Sequence, residues 1–303
     1  MNWFWLAFIS AVFSALSAVF EKKTLFSLDA LNFSFLISVV TLLFSIPFFW
    51  MISYESIFSV SIQILFIKTI LSAAAFLFVM YSIKNLEISE ALPLLALTPG
   101  LVAISGVIII NDFLTVLEWF GIFLMLAGTY LLEAHPNPSP SKGHYKSLRN
   151  FFQPFTALFK FSKYSYVIIA LILFTVTSLL DRVLLKDYNL PPYTFMAFQQ
   201  LFYAVIFSIL VLFKYRSIIR PVKEVTKKTV YLIIIISVFT VIYRLTQIEA
   251  TKLVPVALVI SVKRLSILMA IILGGKLFRE SYLLRRVIAA IIILAGATIL
   301  MNL

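Results

Sequence analysis

Several residue types on which soluble enzymes depend are absent or scarce in this sequence. The 303 residues include no cysteine and only two histidines, and charged residues make up 13%. An ordinary soluble domain has about 25% charged residues, so the chain lacks the polar surface that a soluble fold needs. The absence of cysteine excludes disulfides, iron–sulfur clusters and thiolate metal sites. The HExxH, Walker and GxGxxG motifs are absent as well, so we expect neither a metal nor another cofactor.

Apolar residues take the place of the missing charge and make up 62% of the sequence. A transmembrane helix needs about 20 apolar residues, so ten helices would use roughly 200 residues, close to the apolar share of the chain. We therefore predict an all-α, polytopic membrane protein. The ten predicted helices are 3–20, 31–52, 61–83, 88–110, 114–132, 164–185, 192–213, 228–248, 252–273 and 282–302. The first follows no basic segment, so we expect a retained helix rather than a cleaved signal peptide.

A polar and basic linker, 134–163, separates two groups of five predicted helices, which we define as the halves 1–133 and 164–303. Spaced residues recur between the halves. The matches are Glu21-Lys22 with Asp181-Arg182, Ser34-Phe35 with Thr194-Phe195, Tyr81, Glu87 and Pro93 with Tyr243, Glu249 and Pro255, and Leu126-Ala127-Gly128 with Leu294-Ala295-Gly296. Because five is an odd number, duplicated halves lie in opposite orientations. The sequence therefore predicts two inverted five-helix repeats, the design of many secondary transporters.

Basic residues are concentrated on one predicted face of the membrane. The connections after the first, third, fifth, seventh and ninth helices, together with the helix ends that adjoin them, carry 18 of the 25 Lys and Arg residues. Excess Lys and Arg mark the cytoplasmic side, so this distribution predicts that both termini lie outside. The net charge of +12 is thus explained largely by topology, and a nucleic acid partner is not expected.

Lys263 and Arg264 lie midway along the predicted ninth helix. An ionisable residue at such depth costs about 2.5–3.5 kcal/mol, which makes it a candidate for function. Adjacent helix residues point about 100° apart, so we expect one to face a central cavity and the other a neighbouring helix or carboxylate. We predict that this pair binds an anionic or zwitterionic substrate. The alternative is a structural ion pair within the bundle.

Other polar residues of the predicted helices are candidates for substrate binding, gating or helix contacts. Gln199, Gln200 and Tyr203 share part of the seventh helix and are predicted to bind substrate, with interhelical hydrogen bonding as the alternative. The predicted gate or proton-coupling residues are Asp181, Arg182, Arg244 and Glu249.

Three further patterns carry expectations about local structure. Lys68 lies about two turns from the start of the third helix, so we expect it to snorkel to the interface. Thr98-Pro99-Gly100 is expected to kink the fourth helix. A polar stripe on the first helix either lines a polar path or packs against another helix, and it consists of Ser10, Ser14, Ser17 and Glu21. Glu21 is expected at a solvated helix end.

The sequence resembles the EamA family of the drug/metabolite transporter superfamily. The resemblance rests on the two five-helix halves, the Ala-Gly pairs of the fifth and tenth helices, and the segment from Pro255 through Ser261-Val262-Lys263-Arg264 to residues 275–280. One departure is Asn111-Asp112, where the second half has the longer 275–280 turn. The resemblance implies transport, and it implies that both termini are inside, contrary to the charge distribution.

Two kinds of transport are compatible with these patterns. The favoured function is alternating-access transport of a small polar, anionic or zwitterionic metabolite, such as an amino acid, across the plasma (cell inner) membrane of a prokaryote. An ion or proton gradient, or downhill exchange, would drive it. The alternative is translocation of a lipid-linked or amphipathic substrate. We do not expect an enzyme, because the predicted helices contain no histidine, cysteine or recognisable aspartyl dyad. Monomer and dimer remain open.

Overall fold

The computed structural model describes residues 2–25, 27–52, 60–85, 95, 97–133, 161–223, 225–269 and 283–302, and every regular element within these ranges is an α-helix. The helices are α1 (Trp3–Leu25), α2 (Ala30–Phe49), α3 (Val60–Asn85), α4 (Thr98–Ile110), α5 (Val116–Glu133), α6 (Phe161–Lys186), α7 (Pro192–Tyr215), α8 (Lys227–Leu253), α9 (Val256–Lys263) and α10 (Leu283–Met301). A five-residue helix, Ile219–Lys223, lies between α7 and α8.

Six of the described helices are long and apolar enough to cross a membrane. They are α1, α2, α7, α8, the Val60–Val79 part of α3 and the Ser165–Lys186 part of α6. Shorter apolar helices occur at Thr98–Ile110, Val116–Leu131 and Val287–Met301. Large apolar side chains such as Trp50 and Phe213 are about four-fifths exposed, which suits contact with lipid rather than water. The chain is therefore a helical, multi-pass integral membrane protein.

Local sequence explains where several helices begin. Thr115 and Glu118 form a capping box before α5: the Thr115 N–H donates to Glu118 Oε2 at 2.6 Å, and the Glu118 N–H donates to Thr115 Oγ1 at 3.3 Å. Pro192 is the first residue of α7, a position where the lost N–H donor has no intrahelical partner. Thr226 precedes α8, and its hydroxyl accepts a hydrogen bond from the Thr229 N–H.

Two helix boundaries differ from the sequence prediction. Helix α8 continues to Leu253, so Glu249 lies inside this helix rather than beyond it. Pro99 lies in the first turn of α4, and residues 86–94 and 96, just before this helix, are not described, so the expected kink stays a prediction. Helix α1 extends to Leu25, so Glu21 is within a helix and half-buried rather than at a solvated end.

Some predictions fall on residues that the structure does not describe. The repeat matches Glu87 and Pro93, the linker from 134 to 160 and the turn at 275–280 lie outside the described residues.

Helices of one half pack against helices of the other. Helix α1 lies along α8 and α3 lies along α6, while α2 packs on α7 and α5 packs on α10. The α5–α10 contact is especially close. A Cβ atom added at Gly128 would lie 2.9 Å from the Ile293 backbone nitrogen, and one at Gly296 would lie 2.8 Å from the Gly121 carbonyl oxygen. The repeated Leu-Ala-Gly pattern thus provides glycine where two helix backbones touch.

Candidate functional site

Six polar side chains from five helices form a continuous cluster inside the bundle, here called the polar network. Its members are Lys68, Asp181, Gln199, Arg244, Gln247 and Lys263. At a rise of 1.5 Å per residue, each lies about 8–14 Å along its helix from the face at which α6 and α8 end. We call this the terminal face. The network therefore lies at one depth, within the apolar part of the helices.

Lys68 and Asp181 form the ion pair of the polar network. Lys68 Nζ lies 2.7 Å from Asp181 Oδ1, and the lysine side chain is only 2% exposed. The same nitrogen lies 5.3 Å from the centre of the Phe195 ring. The prediction that Lys68 snorkels is therefore wrong, because its side chain turns towards a carboxylate on α6 that compensates its charge inside the bundle.

Arg244 is held by amide oxygens rather than by a close carboxylate. Its Nη2 donates to Gln199 Oε1 at 2.6 Å, and its Nη1 donates to Gln247 Oε1 at 3.1 Å. Asp181 Oδ2 lies 4.0 Å from Arg244 Nη2, farther than a hydrogen-bonded ion pair. The guanidinium thus has its geometry fixed by two neutral side chains.

Lys263 shares one of these acceptors with Arg244. Its Nζ donates to Gln247 Oε1 at 2.7 Å and lies 4.7 Å from the centre of the Tyr243 ring. Because both cations contact the same oxygen, Arg244 Nη1 and Lys263 Nζ are at most about 6 Å apart. Within the described part of the chain, no carboxylate forms an ion pair with Lys263. Two cations this close repel each other, so an anion placed between them would be favoured.

Gln199 contributes a further donor to the same place. The residue is completely buried, and its Nε2 has no hydrogen-bond partner among the described residues. Its Oε1 is bonded to Arg244, so the Nε2 of the same amide group lies within the polar network. A buried donor of this kind is satisfied when an acceptor such as a carboxylate oxygen binds beside it.

Arg264 is adjacent to Lys263 but contacts a different part of the bundle. Helix α9 ends at Lys263, but Arg264 keeps right-handed helical backbone angles, its N–H donates to the Ile260 carbonyl oxygen at 3.2 Å, and residues 265–269 are helical. Arg264 Nη2 donates to the Leu95 carbonyl oxygen at 2.9 Å, and Thr98 Oγ1 donates to the same oxygen at 2.6 Å. Arg264 therefore links α9 to the chain just before α4, in the other half.

The remaining predicted substrate and coupling residues have separate surroundings. Gln200 Nε2 lies 3.7 Å from the Met196 sulfur, on its own helix. Tyr203 is hydrogen-bonded to Ser72 of α3, beside the polar network. Glu249 forms no ion pair with another described residue. The structure thus brings Gln199, Asp181, Arg244 and Lys263 together, while Gln200 and Glu249 stay apart from them.

The polar stripe of α1 contacts α8. Ser10 Oγ donates to the Tyr243 carbonyl oxygen at 2.8 Å, and Ser17 Oγ donates to Glu21 Oε1 at 2.6 Å. Of the two interpretations of this stripe, the Ser10 bond favours a helix contact.

A second charged group, here called the Asp112 cluster, lies nearer the terminal face and consists of Asp112, Arg182 and Lys186. Arg182 Nε donates to Asp112 Oδ2 at 3.0 Å, and Lys186 Nζ donates to Asp112 Oδ1 at 2.9 Å. Asp112 and Arg182 are both 5% exposed. Asp112 follows Asn111, whose left-handed backbone (φ 50°) ends α4, and the Asp112 N–H donates back to the Gly106 carbonyl oxygen.

The Asp112 cluster also closes the end of α8. Arg182 Nη1 donates to the carbonyl oxygens of Thr251 and Lys252 at 2.6 and 2.9 Å. These oxygens belong to the last turn of the helix, where a cation is favoured by the helix dipole. One arginine of α6 therefore joins the ends of α4 and α8.

Lys68, Gln247 and Asp112 were not among the predicted site residues. Lys68 satisfies the same criterion as Lys263, an ionisable side chain in an apolar run, and that signal was available in the sequence. Asp112 was noted in the sequence only because Asn111-Asp112 stands where the second half has the longer 275–280 turn. For Gln247, nothing in the sequence indicates that its oxygen accepts from two cations.

Comparisons with known proteins agree with this fold. The model of the EamA-like transporter family matches residues 1–133 and 161–302. No curated protein matches the chain. A crystal structure described only as that of a protein is similar over 98% of this chain and 95% of its own, with a TM-score of 0.72 and 13% sequence identity. At that identity the likeness shows the fold alone.

Proposed function

Because the chain belongs to the EamA-like transporter family, as its sequence resemblance indicated, we propose that it is a secondary transporter of a small anionic or zwitterionic metabolite. The substrate that we favour is an amino acid, transported across the plasma (cell inner) membrane of a prokaryote. The observation that carries this proposal is the pair Arg244 and Lys263, two cations that share the neutral Gln247 oxygen inside the bundle.

The charge of the polar network favours an anionic group on the substrate. The network contains three cations and one carboxylate, and that carboxylate is paired with Lys68. A substrate carboxylate between Arg244 and Lys263 would compensate one of the two remaining positive charges and also accept from Gln199 Nε2. Glu21 of α1 is within electrostatic range of Lys263, which offers a partner for the ammonium group of a zwitterion.

The packing of the helices supports alternating access by two inverted repeats. In an inverted repeat, each helix of the first half corresponds to the helix five places later. The α1–α8 contact then corresponds to the α6–α3 contact, and the α2–α8 contact corresponds to the α7–α3 contact. All four of these contacts occur, and three further contacts, α2–α7, α4–α9 and α5–α10, each join two corresponding helices. The polar network takes Lys68 from one half and its other residues from the second, as expected for a site between repeats.

Asp181 is the proton-coupling candidate that lies at the site itself. It is shared between Lys68 and Arg244, so its protonation would change the charge of both contacts. We propose Asp181 for this role and leave Glu249, which lies apart from the polar network, out of it.

The test is transport by the full-length protein in proteoliposomes. Counterflow is measured with labelled amino acids, with carboxylates such as propionate, and with organic cations of matched size such as isopropylammonium. We expect flux of anionic or zwitterionic compounds, reduced at least about tenfold by Arg244→Gln and by Lys263→Gln because each removes a charge from the site. Arg216→Gln and Lys228→Gln, at exposed positions, are the matched controls. Flux of cations alone, or wild-type flux in both site variants, would contradict the proposal.

A further inference from the structure

We infer that Lys68 is a positioning residue for substrate recognition. By holding Asp181, it keeps that carboxylate off Arg244 and leaves the guanidinium to an anionic group of the substrate. The inference rests on the proposed transport of an anion or zwitterion.

The geometry places Asp181 between two cations at unequal distances. Asp181 Oδ1 is 2.7 Å from Lys68 Nζ, whereas Asp181 Oδ2 is 4.0 Å from Arg244 Nη2. A charge-assisted hydrogen bond between a guanidinium and a carboxylate is about 2.7–2.9 Å long. Asp181 is therefore only about 1 Å short of direct contact with Arg244.

Lys68 is well placed to set this asymmetry. Its side chain is buried and extends from α3, whereas Asp181 and Arg244 belong to α6 and α8 of the other half. The Phe195 ring beside its Nζ adds a cation–π contact that fixes the ammonium group. The position of the Asp181 carboxylate is thus determined by a residue that has no contact with Arg244 in the polar network.

Loss of Lys68 would turn Asp181 into an internal competitor of the substrate. A buried carboxylate without its cation is strongly unfavourable, and Arg244 is the other described cation within 4.0 Å. Arg244 would exchange its amide acceptors on Gln199 and Gln247 for this carboxylate. The anionic group of a substrate would then have to displace Asp181 before it could bind.

Two substitutions that break the same ion pair therefore have opposite effects. Lys68→Met frees Asp181 to pair with Arg244 and lowers the affinity for an anion. Asp181→Asn removes the competitor and leaves that affinity unchanged or higher. A role confined to holding helices together predicts the same direction for both, since each removes the same contact. The double variant Lys68→Met/Asp181→Asn loses both members of the pair, so no carboxylate is left to compete for Arg244, and it should bind as the wild type does.

The experiment measures the availability of Arg244 directly in the full-length protein reconstituted in liposomes. Phenylglyoxal reacts with arginine side chains, and peptide mass spectrometry gives the modification rate of Arg244 with and without sodium propionate. We expect Lys68→Met to slow the reaction at least about tenfold, as a direct ion pair would. We expect Asp181→Asn not to slow it, and the double variant to return to within about twofold of wild type. Propionate should protect Arg244 in every variant except Lys68→Met.

The chain offers a matched control pair. Lys214 Nζ lies 2.6 Å from Asp29 Oδ2, and the two side chains are 45% and 52% exposed. Lys214→Met and Asp29→Asn break this exposed pair and should leave the Arg244 rate unchanged. Asp181→Asn and the charge-balanced double variant keep the test decisive if Lys68→Met alone does not fold.

The outcomes separate the inference from the proposed function. An unchanged Arg244 rate in Lys68→Met, or equal slowing in Lys68→Met and Asp181→Asn, would overturn the positioning role. Loss of reactivity in the double variant would overturn it too. If propionate protects Arg244 in no variant, the anion site of the proposed function fails, whatever the Lys68 result.

Discussion

Two neighbouring cations, Lys263 and Arg264, have different partners because adjacent residues of a helix point about 100° apart. Lys263 bonds a side-chain amide of α8, whereas Arg264 bonds the backbone carbonyl of Leu95 in the other half. A carbonyl oxygen neutralises no charge, but a guanidinium bonded to it joins two chain segments. Arg264 thus links the two halves, whereas Lys263 belongs to the polar network.

We predict that substitutions of Lys263 and Arg264 have different effects on the transport kinetics. Lys263→Gln should raise the KM for an anionic substrate about tenfold with little change in thermal stability. Arg264→Gln should lower the maximal rate and destabilise the protein by about 1–3 kcal/mol, because the hydrogen bond between the charged guanidinium and the Leu95 carbonyl, which joins the two halves, is lost. Proteoliposome kinetics and thermal unfolding of both variants check this. Equal increases in KM would show that both residues bind the substrate.

The placement of charged side chains inside the bundle was predictable where depth alone decides it. Lys263 and Arg264 were expected there because each lies in the middle of an apolar run, and their role in substrate binding stays a prediction. Lys68 was assigned to the interface because distance from a helix end does not tell which neighbour offers a partner. Asp181 belongs to the other half of the chain, and its contact with Lys68 exists only after α3 packs on α6.

Helices α5 and α10 form the tightest contact between elements of the two halves. At Gly128 and Gly296 an added methyl group would lie within 3.0 Å of backbone atoms of the other helix, in addition to a side-chain atom at 2.6–2.7 Å. Gly106 of α4 offers a contrast, since the nearest atoms to an added Cβ are side-chain atoms at 3.8 and 4.0 Å. The same residue type is thus required in one helix and replaceable in another.

We predict that Gly128→Ala destabilises the protein by about 1–3 kcal/mol, because the methyl group forces two helix backbones apart. Gly106→Ala, the matched control, should change stability by less than about 0.5 kcal/mol or stabilise α4, since alanine favours helix. Thermal unfolding in a single detergent compares them. A Gly128→Ala variant as stable as Gly106→Ala would mean that α5 and α10 are not in close contact.

The identity of the elements followed from long apolar runs, but several of their ends did not. Helix α8 includes Glu249 and Lys252 because its last carbonyls are bonded by Arg182, a tertiary contact that the sequence does not display. The end of α8 therefore depends on a cap that comes from a distant residue.

At the scale of the whole molecule, the Asp112 cluster joins the two halves at the terminal face. Asp112 follows a helix of the first half, and Arg182 and Lys186 belong to the second. The cluster lies between the polar network and the terminal face. In the proposed transport cycle, access from this face requires the contacts of Asp112 to break.

We predict that Asp112→Asn opens the terminal face. Because the chain has no cysteine, Thr246→Cys introduces a unique thiol on α8, one residue from Gln247. Its labelling by an impermeant maleimide from the terminal face should accelerate at least about fivefold, since a broken buried pair costs several kcal/mol. Asp187→Asn, an exposed aspartate at the same face, is the control. An unchanged labelling rate would mean that the cluster does not close this face.

The α5–α10 contact also limits how the halves can move. The two backbones touch through glycine, and no space for a larger side chain is left between them. In the proposed cycle we expect this contact to be the hinge axis, with a displacement that increases with distance from it. Helices α2 and α7, which pack on each other, would travel farther than α5 and α10, so a small rotation at the glycines becomes a wide opening elsewhere.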